Sequence, residues 1–158
     1  MTDSPDRADR TLIACLQENA RLGVDRLSEL SGLSAATVHR RLKRLNETGV
    51  IEREIAVVNP DRLGRQMVFV GMVELERERL DQVDAFRRVA RAEPQVQQCY
   101  YVTGEADFTL ICTARDMADF EALTHRLFFE NANVRKFRTS VVMDRVKVGL
   151  SVPVGEGD

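Results

Sequence analysis

The spacing of apolar residues changes character near residue 55, and that change divides the chain into two domains of different build. Before it the spacing is helical. Leu12, Ile13 and Leu16 share one face of a helix over about residues 8–20, with Gly23 as its stop. Leu27 and Leu30 mark a second, short helix, for which Asp25 is the expected N-cap. Gly32 then turns the chain, and Ser34 is placed to cap a third helix that runs to about Thr48 and stops at Gly49. Val50-Ile51 and Ile55 to Val58 read as short strands of a small wing.

Asn59-Pro60 is the expected linker turn, and beyond it strands alternate with amphipathic helices. MVFVGMVEL (67–75) reads as a strand. Val83, Phe86, Val89 and Ala90 define one face of a helix that Glu93-Pro94 ends. VQQCYYVT (96–103), the turn GEA (104–106) and DFTLICTA (107–114) form an antiparallel hairpin. Asp116 caps a helix whose face is Met117, Phe120, Leu123 and Leu127, and a last strand runs from Val134 to about Val148. The order β-α-β-β-α-β is that of the ferredoxin-like sandwich. The expected class is therefore α+β: an N-terminal helix-turn-helix, winged-helix-like, joined to a C-terminal ferredoxin-like βαββαβ sandwich. The expected boundaries are 1–55, a linker strand and turn at 56–66, the sandwich at 67–152, and a frayed tail at 153–158.

In MVFVGMVEL both alternating sets are apolar: Met67, Phe69 and Val73 on one side, Val68, Val70 and Met72 on the other. A strand with one wet face should alternate. The second face is therefore expected to be covered, by a partner subunit.

Composition excludes several classes. The chain has 158 residues and is 44% hydrophobic, enough for a buried core rather than disorder. Its longest apolar run, Met67 to Val73, is too short to span a bilayer. MTDSPDRADR lacks the apolar stretch of a signal peptide, so a cytoplasmic location is expected and no membrane partner. Cys15, Cys99 and Cys112 are odd in number and lack CxxC spacing, which argues for buried free thiols and against disulfides or zinc. The net charge of −2 and pI of about 5.8 argue against a general nucleic-acid coat, but not against a local basic patch.

That patch is the third helix, GLSAATVHRRLKRL. On a helical wheel Val38, Leu42 and Leu45 face the core. Ala36, Arg40, Lys43, Arg44 and Glu47 fall opposite, with Thr37 and His39 on the flanks. No acid interrupts the cations before Glu47, so i,i+4 pairing does not account for them. Small side chains at the N-terminus let the helix approach base edges, and longer basic ones follow. Ser34, Ala35, Ala36, Thr37, His39, Arg40, Arg41, Lys43 and Arg44 are the candidate contacts to double-stranded DNA. Arg40 suits a guanine edge, Lys43 and Arg44 suit phosphate. Arg41 lies nearer the buried stripe, within reach either of phosphates or of the first helix.

DRTLIACLQENAR followed by LSELSGLSAATVHRRLKRLNETGVI resembles the DNA-binding half of the Lrp/AsnC family of regulators. Asp9, Arg10, Leu16, Gln17, Arg21, Gly32, Leu33, Ser34, Arg41, Leu45, Gly49, Val50 and Ile51 stand at its motif positions. VTGEADFTLICTARDMADFEAL is similar to that family's Gly-x-x-Asp hairpin and following helix. The resemblance covers about residues 8–152. It implies a sandwich that dimerises and assembles into tetramers or octamers, and a small effector, commonly an amino acid, bound between subunits near the hairpin turn. Gly104 leaves backbone N–H groups open to a carboxylate, and Asp107 suits an ammonium group. Glu105 and Ala106 belong to the same turn, and Tyr101, Thr103 and Thr139 are candidates to complete the pocket. Glu105 weighs against an acidic effector.

Two other functions share the resemblance: an architectural DNA-compacting protein, and an enzyme like the sirohaem decarboxylases. Against an enzyme, the only histidines are His39 and His125, and no acid–base constellation, phosphate loop, metal spacing or cofactor motif is present.

Overall fold

The computed structural model describes residues 4–77 and 79–155. The chain divides into two compact units. One runs to Val57 and takes back the segment from Val148; the other is Val58–Lys147.

The first unit holds α1 (Arg7–Glu18), α2 (Val24–Ser31) and α3 (Ala35–Glu47). Each contributes one fully buried residue, Leu12, Leu27 and Val38, to a common core, against which Cys15, Leu16, Leu22, Val24, Leu33 and Leu42 pack. Leu45 is buried as well, so the stripe 38, 42, 45 faces inward. Asp6 begins α1 with a reciprocal capping box. Its carboxylate accepts from the Asp9 N–H at 2.9 Å, and the Asp9 carboxylate accepts from the Asp6 N–H at 3.1 Å. Gly32, at φ +69°, makes the left-handed turn between α2 and α3. Ser34 then caps α3 by accepting from the Thr37 N–H. Asp25 is not the cap of α2. Gly23 holds that position, and Asp25 lies in the first turn, where its charge still complements the helix dipole. Leu30, 43% exposed, lies outside the core.

The wing strands do not form among the described residues. Residues 52–59 are exposed and join no ladder. The physical reason lies in the end of α3: Ile51 donates its N–H to the Leu45 carbonyl, so the chain after Gly49 caps the helix instead of pairing.

The second unit begins with a 3-10 turn, Asp61–Leu63, after Pro60, with the Asn59 side chain accepting from the Asp61 N–H. Then follow β1 (Met67–Leu75), α4 (Leu80–Ala92), β2 (Val96–Tyr101), β3 (Phe108–Ala114), α5 (Met117–Thr124), a π turn (His125–Phe129) and β4 (Val134–Val141). The sheet is antiparallel in the order β2-β3-β1-β4, which is the ferredoxin-like arrangement. Phe69, Val73, Phe108, Leu110 and Cys112 line its helix side, packed on Val83, Phe86, Ala90, Leu123, Leu127 and Phe128. Val89 and Met117, expected on those helix faces, are 41% and 56% exposed. Val83, Phe86 and Ala90 centre the α4 stripe and leave Val89 at its margin; Met117 sits in the first turn of α5. Asp116 does cap that helix.

β4 ends at Val141, short of the expected Val148. It pairs with β1, and the ladder closes at Phe69–Val141 with one further bond from the Val142 N–H to the Val68 carbonyl; in that register Val148 would need a partner before β1 begins at Met67. The segment from Val148, assigned by sequence to the sandwich as far as 152 and to a frayed tail beyond, lies instead with the helical unit. The Gln17 side chain donates to the Val152 carbonyl and accepts from the Val152 N–H, at 2.9 and 2.6 Å. Arg10 donates to the Gly155 carbonyl at 2.9 Å. Residues 156–158 of the expected tail lie outside the described residues.

Of the thiols only Cys112 is buried; Cys15 and Cys99 are half-buried, and all three are free. Burial pushes the Cys112 thiol up to about 12.

Candidate nucleic-acid interface

The capped start of α3 leaves small side chains outward: Ser34, Ala35 and Ala36 are exposed and Thr37 half-exposed. The Ser34 and Thr37 hydroxyls lie 2.9 Å apart and share a hydrogen bond. One turn on, His39 and Arg40 are exposed, and Arg40 makes no ion pair among the described residues. Lys43 is exposed and lies 3.8 Å from Glu47 in a loose i,i+4 pair, so the acid at 47 does answer one of the cations.

Arg41 and Arg44 turn the other way. Arg41 Nη1 donates to Asp6 Oδ2 at 2.7 Å and to Asp9 Oδ1 at 2.9 Å. Arg44 Nη2 donates to Asp9 Oδ2. The Asp9 side chain is wholly buried, so α1 presents α3 with a dry carboxylate held by two guanidiniums. Hydrogen bonds from the Asp9 N–H and then from Arg41 hold the Asp6 carboxyl below the usual aspartate range. The same two acids push the Arg41 guanidinium up. The wheel places Arg44 on the outer face; its length lets it reach round to α1. An open cleft lined by Ser4, Asp6, Asp9, Arg40, Arg41 and Arg44 marks this corner. The signal for it was present in the sequence as Asp6-x-x-Asp9, a capping box whose second carboxylate also meets α3.

In the sandwich, the turn after β2 carries Thr103, Gly104 and Glu105, all exposed, with Gly104 at φ +121°. Ala106 is buried. Asp107 stitches the turn to β1: its N–H donates to the Val73 carbonyl, and its carboxylate accepts from the Leu75 N–H at 2.6 Å. It thus supplies the partner that β3, beginning at Phe108, does not offer. Tyr101 lies at the β2 edge under the Arg87 guanidinium, 5.0 Å from the ring centre, and beside Phe108. Thr139 lies on β4 opposite Gly71. β2 and β4 are the two outer strands, so Tyr101 and Thr139 stand about three strand spacings apart, roughly 14 Å. One chain therefore sets Tyr101 beside residues 103–107 and Thr139 on the opposite edge of the sheet.

The sheet face away from the helices is apolar at its centre, with Val68, Val70 and Met72 of β1 beside Ile111 of β3. Towards the end of β1 it becomes charged. Glu74 bridges Arg135 and Arg138, each at 2.6 Å, and Arg138 in particular holds its carboxyl below the usual range. Arg138 also lies 3.9 Å from Glu105 of the turn. Sequence reasoning did not single out this acid–base group.

A capped helix-turn-helix with a small-then-basic third helix, followed by a ferredoxin-like sandwich, defines a DNA-binding regulator of two domains. Comparison with known proteins agrees. Residues 5–52 match the family model of a winged helix-turn-helix DNA-binding domain, and residues 68–152 that of the Lrp/AsnC ligand binding domain. The chain belongs to the Lrp/AsnC family. It is 48% identical over 149 residues to an uncharacterized HTH-type transcriptional regulator of Sinorhizobium fredii, covering 94% of this chain and 88% of that protein. It is 31% identical over 149 residues to the leucine-responsive regulatory protein of Rhizobium meliloti, covering 94% and 96%. Among solved structures, the L-Met complex of a Neisseria meningitidis transcriptional regulator superposes with a TM-score of 0.88 at 29% identity, covering 94% and 96%. An AsnC family regulator of Agrobacterium tumefaciens gives 0.88 at 26%, covering 94% and 97%. The function is that of the family, transcriptional regulation through DNA. No described helix is long and apolar enough to cross a membrane, and no metal-binding group of side chains occurs among the described residues.

Proposed function

We propose that α3 enters the major groove and reads sequence through Ala35, Ala36, Thr37, His39 and Arg40, with Ser34 and Lys43 on the flanking backbone. The observation that carries this is the order of side chains on its exposed face. Small residues lead, which lets the capped N-terminus approach base edges, and Arg40 follows, exposed and without an ion pair among the described residues, its fork suited to a guanine edge. Arg41 and Arg44, candidate contacts by sequence, are instead engaged by Asp9.

The regulator acts as a dimer, paired over the apolar face of Val68, Val70, Met72 and Ile111, and presents two copies of α3 to half-sites about one helical turn apart. Dimers assemble further into tetramers or octamers. A small effector of the amino-acid class binds at the turn of Thr103, Gly104, Glu105, Ala106 and Asp107, with Tyr101 beside it, and Thr139 joins from across a subunit boundary. Support comes from the open Gly104 backbone and from the L-Met complex of the Neisseria meningitidis relative. The protein works in the cytoplasm.

The test is fluorescence anisotropy against DNA from upstream of its own gene, with a scrambled duplex as control and Arg40→Ala as variant. Binding to the upstream duplex alone, lost in the variant, is the expected result. Equal, salt-steep binding to both duplexes overturns sequence reading in favour of an architectural role. L-Methionine and L-leucine are then titrated onto the complex; a shift in affinity or in assembly state is expected, and none with either refutes this effector class.

A further inference from the structure

We propose that Asp9 is a specificity-determining residue. By holding Arg41 and Arg44 in a buried ion pair, it keeps two of the four cations of α3 off the DNA backbone. The assignment rests on α3 as the reading helix. The geometry is one-sided. The Asp9 side chain has no solvent exposure, and each of its oxygens meets one guanidinium. Arg41 is held a second time by Asp6. Side-chain exposure separates the cations: 22% for Arg41 and 33% for Arg44, against 69% for Lys43.

The physical consequence concerns which term dominates binding. Phosphate contacts add affinity without sequence information, and base contacts add discrimination. An arginine that swings to a phosphate leaves a dry carboxylate with one cation in place of two, which is costly. Asp9 therefore competes with the DNA backbone for both side chains. The competition weakens binding to any duplex and leaves Arg40 and the small residues before it to decide which duplex is bound. A chain with four arginines and lysines in one turn and a half of helix, all loose, would bind DNA broadly.

The experiment compares the slope of log Kd against log salt for the whole protein, between about 50 and 200 mM. It uses Arg41→Gln, Arg44→Gln and Asp9→Asn beside the wild type, on upstream and scrambled duplexes, with circular dichroism to confirm folding. The two arginine variants are expected to keep the wild-type slope. Asp9→Asn is expected to steepen it by about 0.9 for each phosphate newly gripped, up to about 1.8, and to tighten scrambled DNA more than upstream DNA. A slope flattened by about 0.9 in each arginine variant shows that both already grip phosphate, and overturns the assignment while leaving α3 as the reading helix. The arginine variants decide the matter even where Asp9→Asn fails to fold. Absence of binding by the wild type at the lowest salt overturns the reading helix and this assignment together.

Discussion

Gln17→Ala tests whether the segment from Val148 is a docked part of the helical unit. Gln17 makes two bonds to a single residue: its amide donates to the Val152 carbonyl at 2.9 Å and its carbonyl accepts from the Val152 N–H at 2.6 Å. A side-chain amide used this way imitates a strand neighbour. Both bonds lie at the surface, so each contributes at the low end of the usual range, about 0.5–1 kcal/mol. Their sum, about 1–2 kcal/mol, sets the local opening of the segment, since among the described residues Arg10 to Gly155 is the other side-chain bond that holds it. At 1.4 kcal/mol per factor of ten, the variant should raise the exchange rate of the Val152 amide roughly 5- to 30-fold. Amide hydrogen exchange read by mass spectrometry or NMR measures this directly. Amides around Phe86 and Leu110, in the sandwich core, serve as the internal control and should not change. Gln17→Glu should fall between: it still accepts from the Val152 N–H but turns an oxygen towards the Val152 carbonyl. A Val152 amide that exchanges in the wild type at the rate of an unstructured peptide would refute the reasoning. So would protection that survives Gln17→Ala.

Phe86→Ala removes a fully buried ring tilted against Phe108, 4.6 Å between ring centres, and should cost about 3–5 kcal/mol in urea unfolding of the sandwich. Asp119, Glu74 and Asp6 all have carboxyls held below their usual range, Asp119 chiefly by the Arg115 side chain. Their stabilisation is present above the ordinary carboxylate value and lost as pH falls through the lower folded one. The urea midpoint should therefore hold from pH 7 to about 5 and decline below about 4, less steeply in Asp119→Asn. Cys112, pushed up to about 12 and buried, should react with a thiol reagent only as fast as the sandwich opens; a fast Cys112 phase in the native protein would contradict its burial. Gly104→Ala, at φ +121° with open space around the new methyl, should lose about 1–3 kcal/mol from backbone strain alone, measured as a lower melting temperature.

Much of this protein is determined by local pattern. Ser34 caps α3 because a hydroxyl before a helical run satisfies an orphan N–H whatever the tertiary setting. β1 keeps its expected ends because a nine-residue run, apolar but for Gly71 and Glu74, is bounded by the polar Gln66 and Glu76. The sandwich order follows from alternating periods. The basic helix and the hairpin turn were legible for the same reason, since each is built from neighbours in sequence. Where the reading failed, the deciding partner was distant. Ile55 to Val58 have the composition of a strand, but a strand needs a neighbour, and among the described residues they join no ladder. β4 does not run to Val148 because, in the register that pairs Phe69 with Val141, Val148 would need a partner well before Met67, where β1 begins. The segment from Val148 docks on Gln17, more than a hundred residues earlier. The candidate site divides along the same line. Four cations on one helix are written in the sequence. That two of them answer to Asp9, 32 and 35 residues away, while Arg40 does not, is decided by the packing of α1 on α3. Likewise Tyr101 and Thr139 look equally eligible for one pocket until strand order sets them on opposite edges of the sheet. Hydrogen-bond and apolar periodicity act over a few residues and can be read directly. Charge pairing and strand adjacency depend on which surfaces meet, and only the folded chain supplies that.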